Sequence, residues 1–233
     1  MFIFKHQCRP DANTDQGMTA RPPGYGSRVT EETTFGSLTI AYDDRVLRPR
    51  EWTTAQSDWA AELAATVPPG PILELCAGAG QIGLLAVAGT DRRLVCVDAS
   101  DVACDFARAN ASAAGLAQRV EVRQARLENA LASDEAYPLV IADPPWVLRT
   151  ETGQFPEDPL LAIDGGDDGL DVARACLRVI RQHLAPGGSA VLQLGTTEQA
   201  TRLEHDEGLD TGDLRLVEAR RFPRGALVRI DRA

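Results

Sequence analysis

Lysine is nearly missing from this sequence: Lys5 is the only one, and every other residue among the 24 lysines and arginines is arginine. With the abundant alanine, that bias reads as genomic base composition. It also removes any Tyr-x-x-x-Lys pair, and no histidine stands out as a base, so a nicotinamide-linked oxidoreductase is disfavoured. The three histidines (His6, His183, His205) are too scattered for metal-ligand spacing, and no metal site is expected. Five cysteines (Cys8, Cys76, Cys96, Cys104, Cys176) form no C-x-x-C pair and are odd in number, which points to free thiols in a reducing compartment. No apolar run approaches membrane-spanning length, and Met1–Lys5 is too short an apolar start for a signal peptide. A cytoplasmic chain without a membrane partner is the expectation. Positive charge is short overall: the formal net charge of −10 argues against an extended nucleic-acid face.

What is present suits one α/β domain, for which 233 residues suffice and two full-sized domains would not fit. Residues 1–28 are polar and aperiodic, and read as a flexible extension, with Met18 as an alternative start. Residues 29–233 read as a single domain, of which 29–54 form a hairpin and a lid element. Alternation from Thr33 to Leu47 predicts the hairpin. A helix is expected from Ala55 to Thr66, capped by Thr53 or Thr54, and Pro68-Pro69-Gly70 ends it. Strands and helices then alternate: Pro71–Leu75, helix Ile82–Val87, strand Arg93–Val97, helix Val102–Ala114, strands Val120–Val122 and Leu139–Ala142, helix Leu170–Leu184, strand Ser189–Leu194. Strands Leu214–Phe222 and Ala226–Ile230 close the chain as a hairpin that makes the last strand antiparallel. The expected fold is a mostly parallel seven-stranded sheet with helices on both faces.

The organising stretch is Pro71-Ile-Leu-Glu-Leu-Cys-Ala-Gly-Ala-Gly-Gln-Ile-Gly83, an apolar strand that breaks into glycines and resumes as a helix. Such a turn lets a nucleotide-like ligand approach the backbone and the helix N-terminus. Gly78-x-Gly80-x-x-Gly83, with Asp98 twenty residues beyond Gly78, fits a dinucleotide fingerprint in which the acid binds ribose hydroxyls. Glu74 followed by Cys76-Ala77-Gly78-Ala79-Gly80 equally resembles motif I of class I S-adenosylmethionine (SAM) methyltransferases. For Glu74, contact with a cofactor amino group and a satisfied strand-end carboxylate both stand. Asp98 to Asp101 also have the composition of a cap for the next helix.

Asp143-Pro144-Pro145-Trp146, at the carboxyl end of a later strand, favours the second cofactor. Two prolines stiffen the turn and leave the Pro144 carbonyl free to accept. A carboxylate beside a rigid carbonyl offers two acceptors for the hydrogens of an –NH2 group, and Trp146 offers a flat wall for a planar amide or base. An amide or exocyclic nitrogen is a poor nucleophile; holding both its hydrogens aims the remaining lobe at a methyl donor.

Taken in order, Glu74–Gly80 and Asp143–Trp146 resemble the class I amino- and amide-N-methyltransferases that carry an (Asn/Asp)-Pro-Pro-aromatic motif. More narrowly, Pro156 to Asp171 is similar to the segment after that motif in protein glutamine methyltransferases acting on release factors, and Val46 to Thr53 to their Pro-Arg-Pro-Glu-Thr-like element. The resemblance runs from about Phe35 to Leu194. It implies a Rossmann-like methyltransferase fold and SAM as cofactor. Glu74, Cys76, Ala77, Gly78, Gly80, Asp98 and Ala99 would hold the cofactor, with Pro49 and Thr53 closing over its methionine end. Asp143, Pro144, Pro145 and Trp146 would be catalytic. The implied acceptor is a protein glutamine, a translation factor for example; a nucleic-acid base (RNA or DNA) or a small molecule are alternatives, and a non-catalytic SAM-binding subunit is the reading from another class. Family members usually have Asn and Tyr at positions 143 and 146, Gly at 76, and often an acid where Gln124-Ala-Arg-Leu127 stands. No counterpart of the bacterial enzymes' N-terminal helical domain precedes the hairpin, which leaves room for a recognition partner.

Overall fold

A small hairpin comes first: Glu31–Phe35 (β1) pairs antiparallel with Leu38–Tyr42 (β2), and Gly36 turns the chain with φ of +57°. The structure, a computed structural model, describes residues 29–209 and 212–232; the expected flexible extension at 1–28 lies outside them. A 3-10 turn at Glu51–Thr53 leads into helix Thr54–Ala64 (α1). Thr53 occupies the N-cap position but does not cap, because its hydroxyl donates to the Arg50 carbonyl at 2.8 Å instead.

The main sheet follows as Ile72–Leu75 (β3), helix Gln81–Ala88 (α2), Leu94–Asp98 (β4), helix Asp101–Ala113 (α3), Val120–Gln124 (β5) and Tyr137–Ala142 (β6). Ser100, within the Asp98–Asp101 stretch, caps α3 by accepting the Ala103 N–H. Next come the short helix Leu160–Ile163 (α4), helix Asp171–His183 (α5), Leu184–Leu194 (β7), helix Thr197–Asp206 (α6), Leu214–Phe222 (β8) and Gly225–Arg232 (β9). Strand order is β5-β4-β3-β6-β7-β9-β8, parallel except that β9 runs antiparallel to both neighbours. The expected fold class and closing hairpin are therefore present.

Three elements differ from the sequence reading, the short helix α4 among them, which forms where no element was expected. Ala185-Pro-Gly-Gly188 ends α5 yet belongs to β7, because a register shift between Tyr137 and Leu139 absorbs the irregular residues. Helix α6 was not expected at all.

Alternation along the buried strands divides the core. Ile72, Leu139, Ile141 and Val191 face α1, α2 and α3, where Trp59, Leu63 and Ile82 pack. Leu73, Leu75, Val140 and Ala142 face α5 and α6, where Leu177, Ile180 and Leu203 pack. From β3 the chain goes to β4 on one side and later returns to β6 on the other. The turns after β3 and β6 thus lie side by side at the switch point of the sheet, where crevices open in such folds. Asp143 N–H donates to the Leu75 carbonyl at 3.4 Å and ties the two turns together.

Candidate active site

The turn after β3 uses left-handed backbone at Cys76 (φ 57°), Gly78 (φ 54°) and Gly80 (φ 80°). Cys76 is the one non-glycine with positive φ among the described residues, a conformation that costs an L-residue roughly 1 kcal/mol. Its sulfur lies 3.8 Å from that of buried Cys176 on α5, and this contact, reinforced by burial, raises the Cys76 thiol well above its usual pKa. A Cβ at Gly78 would lie 4.0 Å from Gln81 Oε1, so it is the left-handed backbone rather than crowding that asks for glycine there. The Gly78 N–H donates to Asp98 Oδ2 at 2.8 Å, and Ser100 N–H to Oδ1 at 2.8 Å. Burial raises the Asp98 carboxyl, opposed by the N–H groups of Ser100, Gly78 and Ala99. Each oxygen keeps a second lone pair for hydroxyl donors.

Of the two readings left open for Glu74, the geometry favours the satisfied strand-end carboxylate over a cofactor contact. Glu74 is only 2% exposed, beneath the turn. Oε1 accepts the Gly83 N–H in the first turn of α2 at 2.8 Å, and Oε2 accepts the Cys96 thiol at 3.2 Å. A side chain at Gly83 would collide with the same carboxylate, so the third glycine of the fingerprint exists to admit Glu74. The carboxyl is pushed up to about 7, chiefly by burial, against the pull of the Gly83 N–H. It holds the turn from inside and does not face the cavity.

At the second turn, no described residue hydrogen-bonds the Asp143 side chain, and burial pushes its carboxyl up to about 7. Trp146 is placed from behind by α6. Its ring lies on Gly195, where a Cβ would strike Cε3, and its carbonyl accepts Gln199 Nε2 at 3.1 Å. Gln199 Oε1 in turn accepts the Gly195 N–H at 2.8 Å, and Thr196 with Gln199 forms the capping box that starts α6.

A roof joins the turns. Asn110 of α3 donates to the carbonyls of Ala41 and Ala79, both at 3.0 Å, and its Oδ1 accepts the Ala41 N–H at 2.8 Å. It pins the hairpin to the glycine turn. Arg50 reaches Asp158 in the loop after Trp146 at 2.6 Å and 2.8 Å. Under this roof is a cavity of about 400 Å³, lined among others by Thr53, Gln81, Asp143, Pro144 and Trp146. Of the other expected residues, Pro49 and Pro145 are buried, and Cys76, Ala77, Gly78 and Gly80 form the turn that leads to Gln81, with Asp98 and Ala99 at the strand end beside it; none of these is among the residues that line the cavity. The sequence reading missed Gln81, Gln199, Asn110 and Arg50; only Gln199 had a signal, the Thr-x-x-Gln of a capping box.

A family model described as "Methyltransferase domain" matches residues 72–152. The release factor glutamine methyltransferase of Mycolicibacterium smegmatis is 30% identical over 207 residues, covering 82% of this chain and 72% of that protein. The chain belongs to the class I SAM-dependent methyltransferases. A ribosomal protein uL3 glutamine methyltransferase of Bradyrhizobium diazoefficiens is 36% identical over 129 residues, 53% of this chain and 40% of that protein, so the chain spans well under two thirds of that relative. Among solved structures, the hMettl16 catalytic domain in complex with a MAT2A 3′UTR hairpin shares the fold: TM-score 0.66 at 13% identity, over 84% of this chain and 75% of that one. For a methyltransferase of this class the residues fit SAM. Asp98 holds the Gly78 N–H at the strand end, and Gln81, whose Oε1 has no partner among the described residues, is one of the residues that line the cavity. Among the described residues no helix is long and apolar enough to cross a membrane, and no group of three or more His, Cys, Asp or Glu could hold a metal ion.

Proposed function

We propose that this chain methylates a planar amide or amino nitrogen, first of all a protein glutamine side chain, with SAM as donor, in the cytoplasm. The observation that carries the reading is Asp143: a carboxyl with no partner among the described residues, in one cavity with Pro144, the wall of Trp146, and Gln81 from the cofactor turn. SAM, when bound, supplies an electrophilic methyl group on sulfonium. Asp143 as carboxylate accepts one N–H of the acceptor and the Pro144 carbonyl the other. Both hydrogens held, the nitrogen cannot turn away, and the carboxylate favours the positive charge that grows on it. Trp146 packs on the planar group and excludes water. Relatives bearing the names release factor and uL3 glutamine methyltransferase support the amide acceptor. The Asp at position 143, which cannot donate to an amide carbonyl while ionised, is what favours a base amino group as the second reading.

The test is transfer of labelled methyl from SAM into an extract of cells lacking the protein, followed by protease or nuclease. Label freed by protease supports the proposal; label freed only by nuclease replaces it with a base methyltransferase. An Asp143→Ala variant should bind S-adenosylhomocysteine normally and transfer at least a hundredfold more slowly. Unchanged transfer would remove Asp143 from the mechanism.

A further inference from the structure

The cavity carries positive charge that the chemistry inside it does not use. Arg48, from the segment between the hairpin and α1, and Arg224, from the turn between β8 and β9, both line it together with Asp143 and Trp146. Both are exposed, and exposed residues that line a cavity form its open rim. The third arginine of the wall, Arg50, is paired with Asp158. Arg48 and Arg224 have no ion pair or side-chain hydrogen bond among the described residues; the Arg48 guanidinium lies only within 6.0 Å of the centre of the Tyr42 ring. Both are carried on stiff backbone. Pro49 restricts Arg48 toward an extended conformation. Arg224 stands between Pro223 and a buried Gly225, where a Cβ would come within 2.7 Å of the Leu194 carbonyl oxygen. The turn is thus pressed against the end of β7, next to Gly195 and the Trp146 ring seated on it.

Unpaired guanidiniums on a rim select an anion, and their number and surroundings decide which one. A nucleic-acid backbone presents a row of phosphates, and its binders meet it with a basic stripe. Here Glu157 and Asp158 share the wall with the arginines, and the chain as a whole carries −10. A single carboxylate, by contrast, offers two oxygens that two guanidiniums can hold without any further positive charge. We propose that Arg48 and Arg224 form an acceptor subsite: they hold a glutamate or aspartate side chain close in sequence to the methylated residue of a protein acceptor. The subsite rests on the proposed methyl transfer to protein and supplies what the interior lacks. Asp143, Pro144 and Trp146 read only a planar nitrogen-bearing group, which every glutamine has, so the choice among glutamines falls to the rim.

The probes are synthetic peptides with one central glutamine, flanked in turn by glutamate, serine or arginine, and assayed for methyl transfer from SAM. Glutamate peptides should show kcat/KM about tenfold above serine peptides, through KM rather than kcat, with arginine peptides below both. With Arg48→Gln and Arg224→Gln combined, the preference for glutamate should shrink to about twofold or less. With Arg48→Glu and Arg224→Glu combined, arginine peptides should overtake glutamate peptides, a reversal that loss of folding does not produce. Equal kcat/KM for all three flanks in the wild type, or a glutamate preference that survives both double substitutions, overturns the subsite and leaves glutamine methylation standing. No transfer to any peptide removes the protein acceptor and the subsite together, whether or not an RNA oligonucleotide is methylated instead.

Discussion

Glu74 and Asp143 are carboxyls held up to about 7 by burial, one beneath the first turn and one in the second. For Glu74 the consequence is a stability slope. Below about pH 4.3 it is protonated folded and unfolded, and nothing is lost. As pH climbs toward 7 the unfolded chain gives up this proton while the folded one keeps it, so stability falls with rising pH, by about 3 kcal/mol over the interval. Glu74→Gln keeps an acceptor for Gly83 and removes the slope. Urea midpoints from pH 5 to 8 should therefore converge at the acid end and favour the variant progressively above it; parallel curves would contradict the burial argument. For Asp143 the consequence is a rate. The acting form is the carboxylate, so kcat/KM for methyl transfer should rise with pH and level off above about 7, and Asp143→Asn, whose amide oxygen still accepts but does not titrate, should lose that rise. These roles were unevenly legible. Asp143 could be read because a Pro-Pro turn at a strand end has little other use. Glu74 could not be resolved, since an acid before a glycine turn looks the same whether it faces ligand or helix. Nor does sequence say that Cys76 tolerates φ of 57° with its sulfur against Cys176.

At the scale of elements, the strands were legible because β3, β4 and β6 are covered on both faces and therefore read as nearly continuous apolar runs, interrupted by Glu74 in β3 and ended by Asp98 in β4. Helix α6 was not, because only Ala200 and Leu203 of its ten residues are buried, too few to write a periodicity. That helix matters to the site through its approach, where Gly195 gives the Trp146 ring its seat and Gln199 fixes the Trp146 carbonyl. Gly195→Ala puts a methyl group into the ring's place and swings the wall of the cavity. Methyl transfer should fall at least tenfold, with the affinity for S-adenosylhomocysteine within about threefold and the melting temperature lowered by a few degrees. Wild-type activity in this variant would mean that Trp146 is only a core residue. Tryptophan fluorescence separates the cases, since a displaced Trp146 changes its emission and an undisturbed one does not.

The whole molecule is a rigid sheet with a roof made of two distant pieces of chain, and only one of their attachments is made to open. Asn110 pins the hairpin to the glycine turn with three short hydrogen bonds from a side chain that is 1% exposed. The other attachment, Arg50 to Asp158, is an ion pair with Arg50 one-third exposed and Asp158 nearly covered. A partly exposed pair contributes little to global stability, of the order of 1 kcal/mol or less, and is weakened by salt. Both partners line the cavity and join two distant pieces of chain there, so the expected opening for product release is the breaking of this pair. Arg50→Ala should therefore leave the unfolding midpoint within experimental scatter of the wild type while S-adenosylhomocysteine dissociates several-fold faster in stopped flow. Raising sodium chloride from 0.05 to 0.5 M should speed dissociation from the wild type and barely change it in the variant, because the screened interaction is already gone. Equal salt dependence in the two proteins would locate the opening elsewhere in the roof.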